Sequence, residues 1–227
     1  MKKCIISFAN SRGNYVKSLA RLSESLRNNF DGDFLAFVGE QSIGAPLHSE
    51  NPYAFKIYAW YEAIRQGYTH ILWLDSSCFA IKNTKPIFDK IDQQGYIMQE
   101  AGHLAGTWTN DNALAYFGIS RDQAMKMPCY GNAGFLGLKI NDPWPNHFFT
   151  TWAHSMDAGM FKGAWTNEDH SQSPDERCKG HRHDMSCGSI IANDLGMKYE
   201  SGQSWLQYGG VFDEVLNDSI IIKAQGL

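Results

Sequence analysis

Apolar and polar residues along the first third of the chain predict alternating strands and helices. Residues 3–8 form a short apolar run typical of a buried strand, and a polar turn follows at residues 9–13. Apolar side chains then recur every three or four positions over residues 16–26, with charged residues between them, which predicts an amphipathic helix. Residues 34–38 predict a second strand. A helix over residues 52–66 follows it, with a proline at its start.

The most informative strand covers residues 70–74. It is continuously apolar after its first residue, as expected for a central parallel strand that is buried on both faces. It runs directly into Asp75, Ser76 and Ser77. Later patterns predict helices over residues 86–93 and 145–160, strands over residues 96–99 and 134–140, and a helix that begins near Asp184 and ends at Gly196.

The order of these elements predicts an α/β fold with a mostly parallel central sheet and helices on both faces. We find no linker, low-complexity segment or internal repeat, so we expect one domain over residues 1–227. In such sheets, ligands bind beyond the carboxyl ends of the strands. The loop after the first strand, with Ser7, Asn10 and Arg12, is therefore one expected binding segment, and Tyr15 and Lys56 are weaker candidates for the same pocket. The turn after residue 74 is the other.

Composition narrows the function classes. The formal net charge is -4 and no basic run occurs, so nucleic acid is not favoured as a partner. The first apolar run is too short for a signal peptide or a membrane span, so we expect no membrane insertion. Five cysteines without a framework spacing indicate a reducing compartment, and we expect a cytoplasmic protein. The pattern predicts no oligomeric state.

Three segments together resemble one enzyme family. Residues 71–82 resemble the strand of GT-A glycosyltransferases that carries the metal-binding DxD motif, with Asp75-Ser76-Ser77 in the place of the acidic triplet. Residues 131–138 are similar to the Asn-Ala-Gly segment of these enzymes. Arg182-His183-Asp184, followed by a predicted helix, resembles their late acidic motif. The similarity covers residues 3–197 and includes small transferases without an anchor from bacteria and large DNA viruses; in the viral case, the compartment would be the host cytoplasm.

This resemblance implies a single GT-A (Rossmann-like) domain that transfers a hexosyl or pentosyl group. The donor would be a nucleotide-diphosphate sugar, habitually a UDP-sugar in this family, and the acceptor a glycan or another hydroxyl compound. Asp75 would meet the donor ribose or a metal-bound water. Asn132, Ala133 and Gly134 would lie beside the transferred sugar, because small residues let a sugar ring approach the main chain.

The resemblance also implies roles for the later residues and a divalent cation. Asp184 would be the general base for the attacking hydroxyl, and His183, or alternatively His181 or Arg182, would contact the diphosphate or a metal. Mn²⁺ or Mg²⁺ would bind at Asp75 and Ser77, but a hydroxyl is a weaker ligand for a hard cation than a carboxylate. Either other groups hold the metal or the enzyme needs none. Glu168 and Asp169 are reserve candidates for the base.

Several structural alternatives stand beside these roles. Asp75 could only cap a turn, and Asp184 could be a helix N-cap. Four nearby side chains could bind zinc, although their spacing is unusual: Cys178, His181, His183 and Cys187.

Two other function classes also remain open. One is a catalytically inactive carbohydrate-binding module. The other is a sugar nucleotidyltransferase, which we rank lower because no Gly-rich phosphate loop follows the first strand.

Overall fold

Five strands form the central sheet of the computed structural model, which describes residues 2–209 and 217–226 but not the side chains of residues 131–133. The sheet order is β2-β1-β3-β6-β5. Four strands point in one direction, and β6 runs antiparallel to both of its neighbours. The strands are β1 (Lys3–Ala9), β2 (Asp33–Val38), β3 (His70–Leu74), β5 (Tyr96–Leu104) and β6 (Pro128–Lys139).

Helices cover both faces of this sheet, as the sequence predicts. In β3, the side chains of Ile71 and Trp73 pack on one face and those of Leu72 and Leu74 on the other. Both sets are buried, which explains the uninterrupted apolar run. The helices are α1 (Gly13–Leu26), α2 (Ala54–Arg65), α3 (Lys85–Gln94), α4 (Asp111–Tyr116), α5 (Arg121–Ala124), α6 (Pro143–Asp157) and α7 (His183–Asp194).

The two faces carry separate cores. Buried residues of α2, α6 and α7 pack with Ile71 and Trp73, whereas those of α1 and α3 pack with Leu72 and Leu74. The predicted α/β fold with helices on both faces is therefore confirmed. Within the described ranges, no helix is both long and apolar enough to cross a membrane.

A small second sheet holds the turn that follows β3. Its strands are β4 (Cys78–Ala80), β7 (Leu206–Tyr208) and β8 (Ile222–Ala224), in the order β4-β8-β7. The carbonyl oxygen of Ser77 accepts hydrogen bonds from the Arg21 guanidinium at 2.9 Å and from the Gln225 backbone N–H at 3.0 Å. Residues near the end of the chain therefore fix the backbone of the Asp75-Ser76-Ser77 turn.

Two sequence predictions need correction. The strand predicted over residues 134–140 is longer, since β6 covers Pro128–Lys139. The sequence patterns predict no helix or strand between residues 100 and 130, but this stretch contains the second half of β5, the helices α4 and α5, and a short 3₁₀ turn at Ala105–Thr107. Short helices with interrupted apolar faces leave a weak periodic signal, which explains why this segment was missed.

Candidate active site at the carboxyl end of the central strand

Asp75 lies immediately beyond β3, and hydrogen bonds hold both its carboxylate and its backbone. The indole N–H of Trp73 donates a hydrogen bond to Asp75 Oδ1 at 2.8 Å, and the Asp75 backbone N–H donates to the carbonyl of Gly134 at 3.0 Å. A Cβ atom on Gly134 would lie 2.8 Å from Asp75 Oδ2. Only glycine therefore fits at residue 134 while Asp75 keeps this position. The Asp75 side chain remains 38% exposed.

Lys56 joins Asp75 to a second carboxylate that is distant in sequence. The lysine is fully buried on the sheet-facing side of α2, beside Trp60. Its ammonium nitrogen lies 2.8 Å from Asp184 Oδ2 and 3.7 Å from Asp75 Oδ1. The aromatic rings of Tyr53 and Trp73 lie within 5.4 Å of the same nitrogen. The tertiary structure thus assembles two acids around one buried cation.

The electrostatics of this cluster follow from burial and charge pairing. Burial by itself would lower the pKa of Lys56, but the carboxylates of Asp184 and Asp75 outweigh that effect and raise its pKa. The lysine is therefore protonated at neutral pH. Burial raises the pKa of Asp184, although the ammonium of Lys56 opposes the shift. A carboxylate with a raised pKa is a better proton acceptor than an exposed one.

Asp184 reaches Lys56 because it lies in the first turn of α7. The N-cap residue of this helix is Arg182, and the Asp184 backbone carbonyl accepts a hydrogen bond from the Trp152 indole N–H at 2.9 Å. The hypothesis that Asp184 is the N-cap is therefore wrong. The side chain of Asp184 instead pairs with Lys56 and is only 3% exposed.

His183 is neutral and packed among aromatic rings. Its Nδ1–H donates to the carbonyl of Phe161 at 2.8 Å, so Nε2 carries a lone pair. Nε2 is buried and has no hydrogen-bond partner in the described part of the chain. The ring lies against Tyr53 and Trp165, and burial lowers the pKa of His183 to about 4. His183 is not among the residues that line the cleft beside Asp184.

A cleft of about 260 Å³ opens next to the two carboxylates. It contains aromatic faces, two acids and two basic side chains, a combination that suits a ligand with sugar rings and anionic groups. Gly134 also lines the cleft, and the Asp75 carboxylate occupies the space that a Cβ at residue 134 would need. The lining residues are Tyr53, Lys56, Asp75, Ala101, His103, Gly134, Trp165, Arg182, Asp184, Met185 and Tyr208.

The first loop does not contribute to this lining. Ser7 is fully buried in β1 and shares the face of Ile5 and Ala9, which packs towards α1. Its hydroxyl has no hydrogen-bond partner within residues 2–209 and 217–226. Asn10 accepts a hydrogen bond from the Arg12 backbone N–H at 3.1 Å, and Arg12 is exposed.

Some of the remaining predicted site residues line the cleft and others do not. Ser76 is buried, and neither Ser76 nor Ser77 lines the cleft. The side chains of Asn132 and Ala133 lie outside the described residues. Of the predicted site residues, the structure therefore brings together Asp75, Gly134 and Asp184 at the cleft. The reserve acids Glu168 and Asp169 are exposed on the irregular stretch between α6 and α7, outside the cleft.

The described residues do not supply a complete set of protein ligands for a divalent cation. No group of three His, Cys, Asp or Glu side chains lies close enough within them to hold a metal ion. Both cleft carboxylates are already paired with the Lys56 ammonium, and a hydroxyl replaces the second acid of the motif. Mg²⁺ takes six oxygen ligands, commonly one or two carboxylates together with water and substrate phosphates, so a cation here would need most of its ligands from outside the protein.

The zinc alternative is not supported either. His181 donates from Nε2 to the carbonyl of Met160 at 2.9 Å and accepts the Asn110 backbone N–H at Nδ1. The sulfur atoms of Cys178 and Cys187 lie within hydrogen-bond distance of backbone carbonyls. Both ring nitrogens of His181 and both thiols are therefore engaged by the backbone.

Lys56 is the functional residue to which sequence reasoning gave least weight. It was only a weak candidate for the pocket beside the first loop. A signal is present, because Lys56 continues the apolar stripe formed by Ala59, Trp60 and Ala63, one and two helical turns further on. A lysine at a buried position of such a stripe needs a counter-charge. The sequence does not show which carboxylate provides it.

By sequence, the chain matches no protein-family model and no curated protein. By structure, it is similar to solved glycosyltransferases. Mouse xyloside xylosyltransferase 1 aligns with 99% of this chain and 98% of its own length, at a TM-score of 0.51 and 10% identity. A glycosyltransferase involved in the glycosylation of the major capsid of PBCV-1 aligns with 99% of this chain and 92% of its own length, at a TM-score of 0.56 and 11% identity.

A third similar structure is the galactosyltransferase LgtC in complex with donor and acceptor sugar analogues. It aligns with 97% of this chain and 86% of its own length, at a TM-score of 0.51 and 11% identity. At such low identity, likeness establishes the fold alone. The chain has the α/β fold of the GT-A glycosyltransferases.

Proposed function

We propose that this protein is a glycosyltransferase that moves a sugar from a nucleotide-diphosphate sugar to a hydroxyl acceptor. The observation that carries the proposal is the convergence of Asp75, Lys56 and Asp184 in an aromatic cleft at the carboxyl end of β3. This is where ligands bind in open α/β sheets. The fold shared with three glycosyltransferases supports the proposal.

The chemistry of transfer matches the charges of the cluster. The departing nucleotide diphosphate develops negative charge, which nearby fixed cations stabilise. The buried, protonated Lys56 ammonium is fixed between Asp75 and Asp184, so it offsets part of their negative charge and lowers their repulsion of the diphosphate. Asp75, the more exposed of the two acids, would contact the donor beside Gly134.

Asp184 would act at the transferred sugar. Its pKa is raised by burial, and its carboxylate lines the cleft while Lys56 fixes one of its oxygens. If the reaction inverts the anomeric carbon, Asp184 would take the proton from the attacking hydroxyl. If the configuration is retained, it would stabilise the positively charged centre of the transferred sugar. We propose a UDP-sugar as donor and a glycan as acceptor, following the resemblance of the sequence motifs.

The same geometry leads us to propose that the protein by itself does not bind a divalent cation tightly and that sugar transfer does not require one. The acids of the cleft are paired with Lys56, and Ser77 supplies no carboxylate. In this proposal, side-chain cations offset the charge of the diphosphate.

A thermal-shift screen of nucleotides and nucleotide sugars, with and without Mn²⁺ or Mg²⁺, tests the function. A ligand at about a hundred times its dissociation constant stabilises the fold by about 2.7 kcal/mol. For a domain of this size that corresponds to a rise in Tm of about 5–10 °C. We expect a uridine nucleotide to produce it, and Asp75→Asn to reduce it. Glu168→Gln is the matched control, because Glu168 is exposed and lies outside the cleft.

The other outcomes separate the rival functions. No shift with any nucleotide, together with a shift from free glycans, would favour a carbohydrate-binding module. Formation of a nucleotide sugar from a nucleoside triphosphate and a sugar phosphate would show a nucleotidyltransferase. Either result would contradict the proposed transferase.

A further inference from the structure

Arg182 lies between two indole rings at the cleft. Its guanidinium carbon is 4.0 Å from the ring centroid of Trp108 and 4.1 Å from that of Trp165. The two rings belong to separate loops, one after the 3₁₀ turn at Ala105–Thr107 and one between α6 and α7. Stacking on both faces of a planar guanidinium orients it and leaves its N–H edge available for hydrogen bonds.

Backbone contacts position the residues that carry both rings. The Arg182 backbone N–H donates to the carbonyl of Trp108 at 3.1 Å, and the Ser186 hydroxyl donates to the same carbonyl. Gly180 packs directly on the main chain of Trp165, since a Cβ on this glycine would lie 2.5 Å from the Trp165 carbonyl carbon. The fold therefore fixes the main chains that carry the stack, although the Trp165 side chain itself is 47% exposed.

Among the described residues, the charge of Arg182 lacks a carboxylate partner. The two acids that line the cleft, Asp75 and Asp184, both contact Lys56. In the described ranges, Arg182 forms no ion pair, and burial lowers the pKa of its half-buried guanidinium while Tyr53 opposes the shift. A partly desolvated cation without a counter-ion is unfavourable by itself and becomes favourable when an anion binds.

We propose that Arg182 is the oxyanion-binding residue of the cleft. Its planar fork of N–H donors matches two oxygens of a phosphate or a carboxylate. The inference rests on the proposed function and deepens it, because the oxyanion would be either the diphosphate of the donor or a carboxylate on an acidic acceptor sugar. The two sources share one chemistry, and different probes distinguish them.

Calorimetric titration tests the proposal with four probes: UDP, uridine, glucuronate and glucose. We expect Arg182→Gln to weaken the binding of one anionic probe about 10- to 100-fold, the loss typical of a hydrogen bond to a charged group. The affinity for the matching uncharged probe, uridine for UDP or glucose for glucuronate, should be unchanged. Loss confined to UDP identifies the diphosphate, and loss confined to glucuronate identifies an acidic acceptor. Arg27→Gln, at an exposed arginine after α1, is the matched control.

Two further variants separate anion binding from a structural role. Arg182→Lys keeps the charge but loses the planar fork, and Trp165→Leu keeps the arginine but removes one ring. We expect each to weaken the same probe by about three- to tenfold. The affinity of the wild type should also fall with rising salt, and that of Arg182→Gln should fall less.

Equal affinities of wild type and folded Arg182→Gln for both anionic probes would overturn the proposal. If Arg182→Gln does not fold, unchanged affinities in Arg182→Lys and Trp165→Leu would overturn it equally. If the wild type binds no nucleotide but binds glucuronate, and Arg182→Gln weakens that binding, the proposed donor is wrong and Arg182 is still the oxyanion-binding residue. The failure of one proposal is therefore distinguishable from the failure of the other.

Discussion

Replacing Lys56 with methionine removes the charge at the centre of the cluster while roughly preserving the volume. The ammonium is 2.8 Å from Asp184 Oδ2, and both side chains are at most 3% exposed. Lys56→Met would leave the Asp184 carboxylate buried beside an apolar side chain. Removal of one partner from a buried ion pair typically costs about 3–5 kcal/mol. At about 2–4 °C per kcal/mol for a chain of this size, the Tm should fall by about 6–20 °C.

The loss of stability in Lys56→Met should depend on pH, and the pKa of Asp184 determines whether it grows or shrinks as pH rises. Burial raises the pKa of Asp184 above its value in the unfolded chain, and loss of Lys56 raises it further. The folded variant then binds a proton that the unfolded chain releases. Its stability is retained at pH values below about 4, the unfolded pKa, and is lost as pH rises through the folded pKa. The difference in free energy of unfolding between wild type and Lys56→Met should therefore be smaller at about pH 5 than at about pH 8.

Urea unfolding of both proteins at these two pH values measures the effect. The double variant Lys56→Met/Asp184→Asn removes both charges and should recover part of the lost stability, which gives the coupling energy of the pair. A loss below about 1 kcal/mol that is the same at both pH values and in the double variant would refute the argument. It would mean that Lys56 and Asp184 do not form a buried ion pair in solution.

Two further substitutions test Asp75 and the metal proposal. Gly134→Ala places a Cβ 2.8 Å from Asp75 Oδ2, so we expect about tenfold weaker nucleotide binding by calorimetry. Gly202→Ala, whose Cβ would meet no atom nearer than 3.8 Å, is the control, and equal affinities of the two variants would argue against a donor role for Asp75. Wild type without donor should bind Mn²⁺ weakly, and Ser77→Asp should bind it more tightly because it adds a carboxylate. Tight Mn²⁺ binding by wild type that survives Ser77→Ala would show that the metal lies elsewhere.

Local sequence patterns determined the main elements because they depend on residues near one another in the chain. The apolar stripe of α1 and the doubly buried run of β3 are both periodic features, and both appear in the structure close to their predicted bounds. The position of Asp75 at the end of a central strand follows from the same run. These patterns therefore predicted one edge of the cleft with Asp75, whereas Asp184 was proposed from the resemblance of its motif and the loop after β1 does not line the cleft.

Only the tertiary structure decided how these residues meet. Lys56 and Asp184 are separated by 128 residues, and their contact depends on how α2 and α7 pack on the same face of the sheet. The Arg182 stack likewise requires two loops that carry no periodic signal. Periodicity reports which side of an element is buried, but it does not report which distant charge faces it. The pairing of charges that defines this cleft is therefore a property of the packed fold.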